Sequence, residues 1–392
     1  NKEGKTMAEI SNKYIEEAFR DADGLNVKRA TVHPRVTEEM DGIIAMVQTL
    51  IDKGFAYEDH GTVYYDTKKF PEYGKLSRKN LDELIAGASE RVAIDDAKKN
   101  PTDFVLWKPK KEGEPSWTSP WGEGRPGWHI ECSVMSKHYL GDTFDIHAGG
   151  EDLIFPHHEN EIAQSESYLG HPWCKQWFHV HHLNTNSGKM SKSKGEFLTV
   201  SLLEEKGYDP LAYRFFCLQS HYRKGLVFSW ENLDNAAGAY QKLVAKIAAV
   251  DPEDGDVDEA VLAEYKEKFA NQVGNDLNTS MGVTALYDTL KAKTNGATKL
   301  AILDSFDQVL SLDLLAKAAK VREEQSRAKA AQTSGGYTVT GEGDPEIDAL
   351  VLARGEAKKA KNFAEADRIR DELKAKGIEV TDVPGGAVWK RI

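Results

Sequence analysis

Over most of its length the chain repeats apolar residues every three or four positions, and in a few short stretches it alternates them. Helices joined to a small number of strands are therefore expected. Residues 7–20 place Ile10, Tyr14, Ile15 and Ala18 on one side of a helix. Residues 35–53 do the same with Met40, Ile43, Ile44, Val47 and Leu50, until Gly54 stops the pattern. β-formers then cluster in Phe55-Ala56-Tyr57 and in residues 62–66, on either side of Glu58-Asp59-His60-Gly61, which predicts a hairpin. Residues 75–111 are charged and rich in turn formers, with Phe104-Val105-Leu106-Trp107 as the strand inside them.

Further on, Ser201-Leu202-Leu203-Glu204 has the form of a capping box, and Asp209-Pro210 offers an N-cap followed by proline at the first helical position. The helix this opens, residues 210–219, carries Leu211, Phe215, Phe216 and Leu218 as core. From residue 230 to about 330 the helical period is almost unbroken, over 233–250, 261–273, 282–294 and 298–310, and predicts an α-helical bundle. Residues 326–345 lose that period and turn to Thr, Ser, Gly and Ala around Gly335-Gly336, so a flexible linker is expected there. Beyond it, residues 346–376 read as two helices broken near Asn362-Phe363, and residues 378–390 as a hairpin turning at Pro384-Gly385-Gly386. This small module is expected to fold on Leu350, Leu352, Phe363, Ile369, Leu373, Ile378, Val380 and Trp389.

Composition changes this picture little. With 392 residues, 40% of them hydrophobic and 29% charged, the chain is long enough for two or three domains with proper cores. It has no apolar run of membrane-spanning length and no signal peptide, and its three cysteines are too few for a disulfide framework, so a reducing cytoplasm is the expected setting. A net charge of −12 argues against a general nucleic-acid binder, because phosphate contacts come from Lys and Arg, while leaving room for a local basic strip.

The candidate chemistry is crowded into one stretch. Nine of the twelve histidines lie between His129 and His182, so ligand-type side chains are concentrated in a small part of the chain. In Phe155-Pro156-His157-His158-Glu159-Asn160-Glu161 the proline suits the first turn of a helix. Residues four apart then share a face, so His157 and Glu161 project together while His158 points elsewhere. With Cys132 they offer thiolate, imidazole and carboxylate, three kinds of ligand that zinc takes. Taken singly, a His and Glu four apart are as a rule a solvated pair, and a lone cysteine a small buried apolar residue. Six of the eight tryptophans lie between Trp107 and Trp177 and read as aromatic core, except Trp128, which stands four residues before Cys132. Lys189-Met190-Ser191-Lys192-Ser193, between Gly188 and Gly195, is a loop with two ammonium groups and two hydroxyls that can close over a polyphosphate; a solvated Lys/Ser loop has the same composition.

That five-residue string matches the lysine loop of class I aminoacyl-tRNA synthetases. Gly-Trp-His-Ile-Glu-Cys, ending at Cys132, and Phe-Pro-His-His-Glu-Asn-Glu, ending at Glu161, resemble the cysteinyl-tRNA synthetase family over nearly the whole chain. The resemblance implies an α/β fold: a partial Rossmann-type catalytic domain over 1–228 with an insertion at about 55–125, then an α-helical bundle over 229–326 contacting the tRNA stem. A linker over 327–345 and a small α+β module of anticodon-binding type over 346–392 complete it. It implies a monomeric ligase that activates L-cysteine with ATP and Mg²⁺ and transfers it to tRNA(Cys). Cys132, His157 and Glu161 would hold Zn²⁺ that reads the substrate sulfur, which neither serine nor alanine could match. Trp128 would line the cysteine pocket, Lys189, Ser191, Lys192 and Ser193 would meet ATP, and Lys189 and Lys192 would be catalytic. The family's opening strand, with a further zinc-ligand cysteine and a His-Ile-Gly-His signature, has no counterpart here; the nearest string, Leu169-Gly170-His171, stands elsewhere. The first part of the nucleotide-binding fold is thus expected to be missing from these residues.

Two other readings share some of these features. A cysteine ligase of mycothiol synthesis uses the same adenylate chemistry without the terminal module, and a zinc-stabilised RNA-binding protein would use neither ATP nor cysteine.

Overall fold

A computed structural model describes residues 4–79, 98–185, 198–333, 338–341 and 343–391. It divides into two units, one made of residues 1–237 with 275–280 and the other of 238–274 with 281–392. Among the described residues no helix is long and apolar enough to cross a membrane.

The first unit opens with α1 (Met7–Gly24), capped by a reciprocal pair in which Thr6 Oγ1 accepts from the Glu9 amide and the Glu9 carboxylate accepts from the Thr6 amide. None of its residues is buried, and Tyr14 and Ala18, expected on a covered face, are exposed. In α2 (Met40–Asp52) four residues of the expected stripe, Met40, Ile43, Val47 and Leu50, are buried; Ile44 is half-buried and Met46, not expected there, is buried with them, and Gly54 ends the turn at φ +80°. The hairpin β1 (Ala56–Asp59) and β2 (Thr62–Tyr65) closes through His60 and Gly61, both left-handed, the two-residue loop whose twist suits paired strands. With β3 (Phe104–Pro109), β4 (Trp117–Ser119) and β5 (Gly122–Pro126) these strands form an antiparallel sheet of order β1-β2-β3-β5-β4. Its core is the fully buried Trp107, with Trp117 and Trp121 packed partly against it.

The sheet is followed by α3 (Ile130–Leu140), β6 (Phe144–Gly150), α4 (Glu159–Leu169) and β7 (Cys174–Val180). Strands β6 and β7 run parallel, with His147 opposite Trp177 and Gly149 opposite His179. A second parallel pair joins β8 (Leu183–Thr185) to β9 (Leu226–Phe228), across α5 (Val200–Glu205) and α6 (Pro210–Leu218). Asp209 caps α6 as its sequence predicts, accepting from the Leu211 amide. The cap of α5 is Thr199, which accepts from the Leu202 amide at 3.1 Å; Ser201 lies inside the helix and bonds Thr199 Oγ1 at 2.9 Å. A Ser-x-x-Glu string marks a cap only where its first residue is extended, and here the extended residue is Thr199.

The second unit gathers α7 (Trp230–Ala248, entered from the first unit), α8 (Glu259–Gly274), α9 (Thr279–Lys291), α10 (Gly296–Leu310) and α11 (Leu314–Thr333). Phe269 stacks on the buried Phe306 at 4.2 Å between ring centroids. Since Phe306 is 1% exposed, Phe306→Ala should cost about 3–5 kcal/mol and lower the urea midpoint of this unit, followed by far-UV circular dichroism.

Among the described residues of 326–345 there is regular structure where composition suggests none. Helix α11 runs to Thr333, and β10 (Thr338–Thr340) pairs in parallel with β12 (Gly386–Arg391), Val339 facing Ala387. An alanine-rich segment needs no apolar period to be helical, because alanine has the highest intrinsic propensity. Three β-branched residues are too few to read as a strand until a partner is present. The remaining elements are α12 (Pro345–Lys359), α13 (Phe363–Ala375) and β11 (Ile378–Val383), the last antiparallel to β12 in a sheet of order β10-β12-β11. Ile347, Val351, Ile369, Leu373, Ile378, Ala387 and Trp389 form its buried core, and the Trp389 indole donates to Asp348 at 2.6 Å. Leu352 and Phe363 do not belong to it. The α12 face that is buried carries Ile347 and Val351, four apart, and Leu352 lies one residue round, 40% exposed. Phe363 opens α13 after the Asn362 cap and is 63% exposed.

Candidate metal centre

Three elements converge at one point of the first unit. Helix α3 begins at Ile130 after His129, a non-glycine residue at φ +89° that turns the chain so that Cys132 sits in the first helical turn. Strand β6 contributes His147. The turn before α4 contributes His157, and α4 itself Glu161. Pro156 does not open that helix, as its sequence suggests. Phe155 before it is extended (φ −140°, ψ 130°), the conformation a residue preceding proline favours, and residues Ile154–His158 form a wide irregular turn ahead of the regular helix at Glu159. His157 and Glu161 nevertheless keep the four-residue spacing that puts them together.

The ligand atoms of Cys132, His157 and Glu161 all lie within 4.8 Å of one another. Cys132 Sγ is 3.7 Å from His157 Nε2, and His157 Nε2 is 2.6 Å from Glu161 Oε1. That short approach lacks hydrogen-bond alignment, and Glu161 Oε1, on a residue with no solvent exposure, has no hydrogen-bond partner. A buried carboxylate oxygen left in this way is costly unless something else meets it. Two ligand atoms crowded without alignment are aimed at a common third point, and a sulfur, an imidazole nitrogen and a carboxylate oxygen form a donor set suited to zinc.

Neighbouring side chains hold these atoms in place. The other oxygen of Glu161 is bonded to His147 Nε2, and His129 Nδ1 lies 2.6 Å from His157 Nδ1, so the far nitrogen of His157 is turned to the cluster. His158 Nδ1 pairs with His179 Nε2 at 2.8 Å. Gly149 must be glycine for β6 to pass so close, since a Cβ there would meet the His158 ring at 2.7 Å. His147, His158 and Glu161 form a second ligand-type group that shares the Glu161 carboxylate with the first.

Electrostatics fit a cation site. Burial would raise the Glu161 carboxyl, but the hydrogen bond with His147 and the charges of His147 and His157 outweigh it and hold it at about 2. Burial, with the charges of Glu161 and Glu131, pushes the Cys132 thiol well above its ordinary value. A thiolate at that position needs a cation beside it. Burial lowers His129 to about 3 and His158 to about 4, so both stay neutral.

Trp128 is 69% exposed, with its ring edge-on to His157 at 6.3 Å between centroids, so it borders the cluster. Cys132, His157, Glu161 and Trp128 are thus brought together. Lys189, Ser191, Lys192 and Ser193 lie outside the described residues. The roles of His129 and His147 were not evident from spacing. The one signal was the density of histidines, since each meets its partner 14 or 28 positions away.

Residues 1–238 match the family described as tRNA synthetases class I (C) catalytic domain, and residues 340–389 the cysteinyl-tRNA ligase anticodon binding domain. The chain is 47% identical over 404 residues to a cysteine–tRNA ligase of Caldicellulosiruptor saccharolyticus, covering all of this chain and 83% of the relative. It is 44% identical over 412 residues to a cysteine–tRNA ligase of Lachnospira eligens, covering all of this chain and 84% of the relative. Another, of Symbiobacterium thermophilum, is 46% identical over 400 residues, covering 99% and 82%. Among solved structures, a Mycobacterium tuberculosis methionyl-tRNA synthetase in complex with methionyl-adenylate has a TM-score of 0.52 at 15% identity, over 81% of this chain and 78% of that one, a likeness of fold alone.

Proposed function

The chain belongs to the class I cysteinyl-tRNA synthetase family and is a ligase joining cysteine to tRNA, and from that premise we propose that Cys132, His157 and Glu161 are its zinc ligands. The observation that carries this is the orphaned Glu161 Oε1, buried and 2.6 Å from a misaligned His157 Nε2. Zinc when bound supplies an open position for soft sulfur, which distinguishes cysteine from serine and alanine without an editing step. His147 and His129 fix the orientation of Glu161 and His157, and Trp128 covers the substrate side chain.

Activation joins the cysteine carboxylate to the α-phosphorus of ATP and releases pyrophosphate. The step asks the protein for positioning and charge neutralisation and for no covalent nucleophile. Lys189 and Lys192, with the hydroxyls of Ser191 and Ser193, meet the phosphates, whose other counterion is Mg²⁺. Lys192→Ala should therefore lower the rate of adenylate formation by about 10²–10³-fold with little change in cysteine affinity, as for an interaction made mainly in the transition state. Rapid-quench measurement of the adenylate decides it, and a loss confined to substrate binding would exclude the role.

A terminal ribose hydroxyl of tRNA(Cys) then attacks the adenylate carbonyl and AMP leaves. Residues 338–391 read the anticodon and the helices before them meet the tRNA stem. The exposed Phe363, close in sequence to Lys358, Lys359 and Lys361, is a stacking surface of the kind single-stranded bases use. A terminal module of this type, matched over 340–389, favours the synthetase over a mycothiol-type ligase. Cysteine-dependent ATP–pyrophosphate exchange separates both enzymes from an inactive RNA-binding protein, and charging of tRNA(Cys) separates the two enzymes.

A further inference from the structure

The first turn of α4, between the proposed ligands His157 and Glu161, holds a second set of residues with other partners. Between His157 and Glu161, Glu159 is 1% exposed and its carboxylate accepts from three backbone amides of one segment: Gly74, Leu76 and, at 3.0 Å, Ser77. The next residue, Asn160, accepts from the buried Tyr73 hydroxyl at 2.5 Å. The segment is also tied to itself, with the Lys79 amide donating to the Gly74 carbonyl at 3.3 Å. Four bonds to two adjacent residues of α4 thus fix residues 73–77 beside the metal centre, and burial of a carboxylate is offset by amide donors rather than by a cation.

Two cations come next on this anchored segment. Arg78 and Lys79 are exposed, and among the described residues neither is in an ion pair. Arg78 is held at φ +56°, a region that non-glycine residues occupy at a cost and that clusters at functional sites. Lys79 Nζ stands 5.6 Å from the centre of the Phe155 ring, two residues before His157. The neighbouring Lys75 is different, being paired with Glu72 and Glu166.

We propose that Arg78 and Lys79 grip the phosphodiesters at the single-stranded 3′ terminus of tRNA, with Glu159 and Asn160 as the positioning residues that aim them. The inference rests on the tRNA-ligase reading. In that reaction the terminal ribose must reach the carbonyl of a cysteine whose sulfur sits at the metal. The last phosphodiesters must then pass close to His157 and Glu161. On a chain of net charge −12, an RNA strand entering there needs local cations, and an anchored Arg–Lys pair supplies them.

The test compares intact tRNA(Cys) with the same tRNA lacking its single-stranded 3′ nucleotides, by affinity at several salt concentrations. The double variant Arg78→Ala with Lys79→Ala should bind intact tRNA about tenfold more weakly. Its log–log salt slope should be shallower by about 1.4, the value for two single-strand phosphates. Affinity for the shortened tRNA should match wild type. Equal affinity for intact tRNA in variant and wild type, or an equal loss on both RNAs, would overturn the inference. Glu159→Gln should reproduce part of the loss, since an amide nitrogen cannot accept the segment's N–H groups. Retained zinc binding in that variant shows that the turn has kept its fold, and wild-type tRNA affinity with an unchanged slope would remove Glu159 from the role. Failure of the wild-type protein to bind either RNA would instead sink the tRNA-ligase reading on which the inference stands.

Discussion

Replacing Cys132 with serine should cost at least about a hundredfold in zinc affinity, more than the 10- to 100-fold typical of disturbing a residue behind a ligand. Cysteine-dependent pyrophosphate exchange should fall with it, by about 10³-fold or more, because the substrate thiolate loses the bond that selects it. Serine keeps nearly the same volume, so the loss would not come from a cavity. It comes from the donor, a hydroxyl that stays protonated where zinc asks for a soft thiolate. Glu161→Gln should behave alike: the carboxamide keeps the size but presents an NH₂ group either to the metal point or to His147, which now meets Glu161 Oε2. Equilibrium dialysis with zinc and a fluorescent ATP analogue give the readout. Zinc bound at wild-type affinity, or an equal loss of ATP affinity, would show that the cluster is structural and does not read cysteine.

The second large effect concerns the end of the chain. Ending the protein after Thr333 preserves α11, which a cut near residue 330 would shorten, and removes β10 together with the sheet it belongs to. Pyrophosphate exchange should stay nearly intact while charging at limiting tRNA falls by about a hundredfold or more. Contacts made only with tRNA add to that complex and to no other. Within the intact chain, Phe363→Ala should weaken tRNA by about 1–3 kcal/mol, the worth of one stacked base, and leave exchange unchanged. Loss of exchange along with charging would mean that the module supports the catalytic unit's stability. Survival of charging would mean that it does not hold the tRNA.

The elements legible in the sequence are those decided by residues three or four positions apart. The α2 stripe, the hairpin around Glu58-Asp59-His60-Gly61 and the Asp209 cap of α6 needed no partner to be read, although the structure shortens that turn to His60-Gly61. The same holds at the site: the spacing of His157 and Glu161 survives even though Pro156 sits in an irregular turn and not in a helix. Where short-range rules misled, a distant partner had intervened. Thr338–Thr340 is a strand because β12 lies beside it.

By itself, then, the sequence determined the kinds of ligand, the pairing of His157 with Glu161 and the lysine-loop motif, since these are matters of residue identity and local geometry. Only the tertiary structure decided that Cys132 comes from 25 positions away to within 3.7 Å of His157, and that His129 and His147 close in behind His157 and Glu161. It alone showed that Glu159 and Asn160, between His157 and Glu161, fasten residues 73–77. The reason is that such meetings depend on how closely α3, α4 and β6 pack. Closeness at Gly149, where a single Cβ would strike His158, is set by the sum of many distant contacts that no local window of the chain contains.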